Sequence, residues 1–435
     1  MVGAASGAPR RILLSDSDAF FTQCARAADP DGAGRARLLI VGGSIAGRGV
    51  VTSASYEARA FGVRAGMPTA LAVRRCPEAL LVPVPRDLVA RKSREIFAVL
   101  ARFAPVFEPA SVDEAYLDLT GTEAVYRDEP LAATARRIRQ AVIDETGFGV
   151  SIGVGTSKLV AKMAVELAKP KPDADGVTLG TGVFVVAPGE EAAFMRRFAL
   201  ADIPGVGPAF ATKLARLGLR TVGDAVAHGR AALCGLLGER AGSWLDDRAR
   251  GADVRPVAPR ARAKSSSRED TFPRDLADEA QIAAELARLV ERVVVDLRGD
   301  RNTARRVTVK VKAADFTVRT ASRTLAEPVQ TAAAAHPVAR ALLARVRRGW
   351  RPPVRLVGVA LELLAPAGEA AAQLSMFDTP DGVVPNADAP DPLGRETERD
   401  RRLASALDDI RGRFGRDAVR PASHGPPHGP GPAPA

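Results

Sequence analysis

The sequence predicts a multidomain α+β protein, and three observations carry that prediction. Its 435 residues allow two to four domains with sizeable cores. From residue 11 to about 175, short apolar runs ("RILL", "RLLIVGG", "SVDEAYLDL", "VSIGVGTS") alternate with helical patterns. Beyond that the composition changes repeatedly. A helical, glycine-punctuated stretch runs to 252, a basic linker covers 253–263, a further helix-and-strand unit covers 264–366, and a tail rich in Pro and Gly follows.

Composition narrows the function. Lys and Arg number 62 against 51 acids, a net charge of +11, which points to a polyanionic partner, nucleic acid first. Three cysteines without paired spacing and four scattered histidines exclude a disulfide scaffold and a zinc site. Any metal would therefore be held by oxygen: Mg²⁺, Mn²⁺ or Ca²⁺. The N-terminus lacks an apolar core and no apolar run reaches membrane length, so a cytoplasmic protein with no membrane partner is expected.

Taken in chain order, "RILLSDSDAFF" is a buried strand that ends in Asp16 and Asp18. Burying a carboxylate without a partner is costly, so these acids need a purpose. For Asp18 the expectation is a cap on the helix starting near Ala19. In "VVTSASYEARAFGVRAGMP" the serines read as a helix start, with Tyr56 and Arg59 on one face, where Arg59 can fork onto phosphate oxygens. A second acidic pair, Asp113 and Glu114, lies inside a strand pattern. If that strand neighbours the first, three carboxylates converge, and a cation must neutralise them. Adjacent strand residues face opposite ways, so the pair shares a site only where the strand bends; the bland alternative is that both border a turn. "SKLVAKMAVELAKP" puts Lys158, Lys162 and Lys169 opposite Leu159, Met163 and Leu167, by default a solvated amphipathic helix.

"IPGVGPAFATKLARLG" has the form of a helix-hairpin-helix. Gly205 and Gly207 permit the turn, Pro208 opens the second helix and Gly218 follows its end. Such a hairpin grips DNA backbone through amide groups at a helix N-terminus. The 264–366 unit holds 19 Lys or Arg against 12 acids. It begins with a helix carrying Ile282, Leu286, Leu289, Val293 and Leu297 on one face. In "RRVTVKVK", Val307, Val309 and Val311 face one way while Arg306, Lys310 and Lys312 face the other; Arg319 and Arg323 continue the basic theme. One amphipathic helix is expected near 395–414, spaced by Leu403, Leu407, Ile410 and Phe414.

Asp16, "SVDEAYLD", "SASYEARAFGVRAGMP", "SKLVAK" with "AVELAKP", and "IPGVG" resemble, in order and spacing, the motifs of Y-family DNA polymerases, over roughly residues 11 to 377. The resemblance implies a right-hand polymerase fold. The palm would be residues 10–19 and 85–176, the fingers 20–84 and the helical thumb 177–252. A linker (253–263), a little finger domain (264–366) and a disordered tail (367–435) would follow. It implies two Mg²⁺ ions held by Asp16, Asp113, Glu114 and the Ser17 backbone carbonyl. Tyr56, Arg59 and Lys169 would contact the incoming deoxynucleoside triphosphate, with Phe21 as the steric gate against ribose. Gly205, Gly207, Arg306, Lys310, Lys312, Arg319 and Arg323 would contact primer-template DNA. "QLSMF" resembles a sliding-clamp-binding peptide through Gln373, Leu374, Met376 and Phe377. The expected activity is low-fidelity translesion synthesis by a monomer with no proofreading domain. Two other readings stay open: a non-catalytic relative that binds DNA and the clamp to recruit another polymerase, and a nucleotidyl cyclase. The chain departs from the family's usual residues at Leu14-Ser15 before the first acid, at Ser17 after it and at Ala25.

Overall fold

A computed structural model describes residues 9–173, 176–368, 394–415 and 418–419. The pentapeptide 373–377 and the terminal stretch 421–435 lie outside the described residues. The chain divides into two compact units, Met1–Ala261 and Arg262–Ala435.

The first unit is organised by a five-stranded sheet. Its strands are β1 (Ile12–Ser17), β5 (Val106–Pro109), β6 (Glu114–Asp118), β7 (Val150–Gly155) and β10 (Val183–Val185), in the order β10-β7-β1-β6-β5. All pairs are antiparallel except β10 with β7. Every residue of the central strand β1 is buried, which fits its near-continuous apolar run. Leu13 packs with α4 (Arg86–Ala101) and α5 (Leu131–Thr146) on one face of the sheet; Ile12 and Leu14 pack with α6 (Lys158–Ala168) on the other. Gly153 is required there: a Cβ on it would lie 2.2 Å from the Ala161 carbonyl, so only glycine lets α6 lie this close to β7.

Helix α1 (Phe20–Ala28) leads to a separate three-stranded sheet, β2 (Leu39–Gly42), β3 (Val51–Ala54) and β4 (Leu80–Val82), with α2 (Tyr56–Ala60) and α3 (Thr69–Arg75). The sequence placed "RLLIVGG" in series with the other strands; it belongs to this second sheet instead. Ser55 caps α2 by accepting from the Ala58 amide, as the serines predicted. A small hairpin, β8 (Lys171–Asp173) and β9 (Gly176–Thr178), follows α6. The helical stretch is α7 (Glu191–Met195), α8 (Pro208–Arg216), α9 (Val222–Leu237, kinked at Gly229) and α10 (Glu239–Ala249). Pro208 opens α8 and Gly218, at φ +78°, follows its end. The hairpin turn needs one glycine of the expected pair. Gly205 has φ +102° and a Cβ there would lie 2.8 Å from the Trp244 ring, whereas Gly207 has φ −76°, open to any residue.

The second unit is a four-stranded antiparallel sheet, β11 (Ser265–Leu276), β12 (Asn302–Ala313), β13 (Val318–Val329) and β14 (Val354–Pro366), ordered β11-β14-β12-β13. Two helices, α11 (Glu279–Gly299) and α12 (Ala332–Arg347), cover one face. The five predicted apolar positions of α11 and the three valines of β12 are fully buried in this core. The expected C-terminal helix forms as α13 (Glu398–Phe414), opened by a Thr397/Asp400 capping box. It has a partner, because Asp408 receives a two-pronged ion pair from Arg298 of α11 at 2.7 and 2.9 Å. Of the four residues that space its apolar stripe, Leu403, Ile410 and Phe414 are exposed and Leu407 is half-buried.

Candidate active site

Strand pairing brings the predicted acids together. β1 and β6 run antiparallel with Asp16 opposite Glu114, so the end of one strand meets the start of the other. Asp113 precedes β6 in a bend, which answers the facing problem: it is not part of the regular strand. Its carbonyl accepts from the Ser17 amide at 3.0 Å, and its carboxylate accepts from the Ser111 hydroxyl.

Asp16 is 4% exposed and lies on the α6 side of the sheet. Lys169 donates to it at 2.7 Å, and Lys162 bridges it at 3.3 Å to Glu114 at 2.6 Å. Burial first, and then the neighbouring Asp16 carboxylate, push Glu114 above its ordinary pKa. Asp113 is raised by burial too, with the Asp16 charge adding to it. Burial alone would lower the Lys169 ammonium, but Asp16 and then Glu166 outweigh it and hold it above its usual value. The solvated-helix expectation for "SKLVAK" is therefore overturned. Lys158 is 8% exposed and paired with Glu108 at 2.6 Å, and the other two lysines serve the acids. The cause is the close seat of α6 over Gly153, which carries its basic face to the end of β1.

Among the described residues no group of three or more His, Cys, Asp or Glu is arranged ready to hold a metal ion. The two ammonium groups supply the positive charge that the carboxylates require. The donors themselves are all oxygen, with no sulfur or imidazole, and so fit a hard divalent cation such as Mg²⁺.

Asp18 does not cap α1. The N-cap is Ala19 in a left-handed conformation with no side-chain cap bond. Asp18 instead accepts from Ser151 at 2.8 Å and from the Tyr56 hydroxyl at 3.4 Å. Tyr56 and Arg59 do share a face, the guanidinium lying 4.6 Å from the ring centroid. Phe21 is partly buried against the cluster of Ala25, Ala33, Leu39 and Val41 and meets Phe20 edge-on at 5.7 Å. Ser17 stands where the family usually has methionine, and its hydroxyl is buried without a partner. Ser17→Ala is therefore expected to raise stability by about 1 kcal/mol, read as a higher Tm in thermal melts; a lower Tm would show that the hydroxyl is satisfied after all.

In the C-terminal unit the register divides the predicted DNA contacts. Arg306, Lys310 and Lys312 lie on the open face, opposite Thr324, Thr320 and Val318. Arg319 and Arg323 pair with Val311 and Val307 and so lie on the helix-covered face, where Arg319 stacks 4.7 Å from the Trp350 centroid. The open face is also less cationic than the sequence suggests, since Glu269 pairs with Lys310 at 2.8 Å.

Comparison with known proteins identifies the lineage. Residues 15–166 match the impB/mucB/samB family and residues 263–376 match the impB/mucB/samB family C-terminal domain. The chain is 42% identical to DNA polymerase IV of Halorhodospira halophila, across 82% of this chain and 96% of that one. The chain belongs to the Y-family of DNA polymerases. DNA polymerase IV 2 of Agrobacterium fabrum is 39% identical over 83% of this chain and 96% of its own. Among solved Y-family structures, a Dbh-Dpo4(243-245)-Dbh chimera aligns with TM-score 0.70 at 27% identity, covering 81% of this chain and 98% of that one. An insertion ternary complex of Dbh DNA polymerase aligns at 0.56 with 27% identity over 82% and 99%. Family membership makes the chain a DNA-directed DNA polymerase of the translesion type. Among the described residues no helix is long and apolar enough to cross a membrane.

Proposed function

We propose that this polymerase extends a primer 3′ end by two-metal nucleotidyl transfer, with low fidelity and no proofreading. The observation that carries the reading is the Asp16–Glu114 register with Asp113 in the adjoining bend. Asp16, Asp113, Glu114 and the Ser17 backbone carbonyl would hold two Mg²⁺ ions between them. Bound there, the ions would favour the ionised 3′-hydroxyl and offset charge on the departing pyrophosphate. The primer 3′-oxygen bonds to the α-phosphorus as the bond to the bridging oxygen breaks. Tyr56 and Arg59 donate to the triphosphate, and Lys169 turns its ammonium from Asp16 to the same phosphates. Phe21 excludes the ribose 2′-hydroxyl by contact.

Four strands of the five-stranded sheet, β1, β5, β6 and β7, form the palm with their helices (10–19 and 85–176), the three-stranded sheet lies in the fingers (20–84), and the thumb (177–252) holds the hairpin region and lends the edge strand β10 to the palm sheet. After the linker (253–263), the little finger (264–366) tracks primer-template phosphates through Arg306, Lys310 and Lys312, with Gly205 and Gly207 opening the thumb hairpin to the backbone. Arg319 and Arg323 reach DNA only from the rim of their face. Gln373, Leu374, Met376 and Phe377 dock on the sliding clamp, and the enzyme works as a cytoplasmic monomer. Primer extension is the deciding assay. An independent one is thermal: Mg²⁺ at ten times its Kd stabilises the protein by about 1.4 kcal/mol, and an Asp113→Ala/Glu114→Ala variant shows no gain. A wild-type Tm that ignores Mg²⁺ would refute the metal assignment.

A further inference from the structure

Helix α1 carries Phe21 in its first turn, yet little in its own sequence fixes where that turn lies. It has nine residues, too few to be stable alone. Ala19, which precedes it, takes φ 45° and ψ 48°, a conformation unfavourable for any residue with a Cβ, and offers no side-chain cap. Gln23 supplies what the cap does not. Its amide nitrogen donates to the Asp18 carbonyl at 2.6 Å and to the Gly149 carbonyl at 2.9 Å, and its amide oxygen accepts from the Gly149 amide at 2.8 Å. The Asp18 amide also donates to the Gly149 carbonyl at 3.0 Å. One side chain thus ties the first turns of α1 to the end of β1, two residues past Asp16, and to the turn that enters β7. All three bonds are to backbone, so they fix position without depending on neighbouring rotamers.

We infer that Gln23 is a positioning residue for sugar discrimination: its amide clamp sets how closely the Phe21 ring approaches the ribose above the Asp16–Ser17 floor. The inference rests on the reading of Phe21 as the gate. A gate works by van der Waals contact, whose energy changes steeply within a few tenths of an ångström. Loosening α1 therefore relaxes selection before it destroys catalysis.

The test uses the full-length protein on primer-template DNA with Mg²⁺, measuring kcat/KM for a deoxynucleotide and the matching ribonucleotide. Gln23→Met keeps the volume and removes all three bonds, and is expected to lower the deoxy-to-ribo ratio at least tenfold. Gln23→Glu keeps the acceptor but turns an anion toward two carbonyls, and should lower the ratio as well. Phe21→Ala should collapse the ratio, and adding Gln23→Met to it should lower it no further. Thermal melts check folding; if Gln23→Met does not fold, Gln23→Ala takes its place. A ratio within twofold of wild type in the Gln23 variants, with or without an equal loss of rate for both sugars, would overturn the clamp while Phe21→Ala still collapses selectivity. If Phe21→Ala itself leaves the ratio intact, the gate reading has failed and the clamp falls with it.

Discussion

Asp113→Ala is expected to lower kcat/KM for primer extension by about a thousandfold or more, equivalent to about 4 kcal/mol of transition-state stabilisation. Alanine keeps the bend before β6 and the Asp113 carbonyl that receives the Ser17 amide, so the backbone floor stays in place. What disappears is one of three carboxylates around a site already crowded by the Lys162 and Lys169 ammonium groups. Two acids facing two lysines would hold a pair of divalent cations poorly. Affinity for primer-template should be preserved, because the hairpin at Gly205 and the sheet at Lys310 are untouched; gel shift or anisotropy checks this separately from turnover. Asp118→Ala, at the opposite end of β6 beside the Thr120 amide, is the matched control and should keep at least half of wild-type activity. The same assay separates the other readings. No extension by wild type would favour a clamp-bound accessory protein, and a cyclic product without template would favour a cyclase. Wild-type rates from Asp113→Ala would remove the site as drawn.

The acids were legible in the sequence because strand patterns ending in carboxylates are costly anywhere but at a site. Asp16 and Glu114 needed only the guess that their strands are neighbours, and the antiparallel register supplied the rest. The lysines were not legible as partners. A helix with Lys158, Lys162 and Lys169 along one face looks the same in sequence whether that face meets water or carboxylates, and the choice depends on Gly153 admitting α6 to the sheet. Asp18 was misjudged because Asp before a helix is usually a cap, whereas the left-handed Ala19 turns the chain so that Asp18 meets Ser151 and Tyr56. Arg319 and Arg323 were grouped with Lys310 because alternation within one strand says nothing about register with the next. Val311↔Arg319 puts them on the other face. Gln23 gave no signal at all: a polar residue in a short helix has no pattern until its backbone partners, the Asp18 carbonyl and the distant Gly149, are in view.

The largest stability effect is expected in the C-terminal unit, at a charge with little access to water. Arg347, in the last turn of α12, is 2% exposed. It donates to Glu279 in the first turn of α11 at 2.6 and 3.0 Å and to the Pro352 carbonyl at 2.9 Å. Glu279→Ala leaves that guanidinium buried with one carbonyl and the Trp350 ring, and should cost about 3 kcal/mol. For a unit of this size that is a Tm loss of about 6–12 °C. Replacing both partners, as in Glu279→Ala/Arg347→Met, should recover most of the loss, because no unpaired charge remains and methionine fills the space. The pH dependence has a fixed sign. The bond from Arg347, and then its charge and that of Arg351, hold Glu279 below its ordinary pKa, so the pair's contribution is complete above the usual glutamate range and fades as pH falls through the lowered value. Wild type and Glu279→Ala should therefore converge in strong acid. In a Trp244→Phe background, Trp350 is the one remaining tryptophan, 5.8 Å from the Arg347 guanidinium, and its fluorescence reports this unit directly. A loss under 1 kcal/mol in that signal would mean that Arg351 or water already compensates Arg347, and that the pair does not hold α11 to α12.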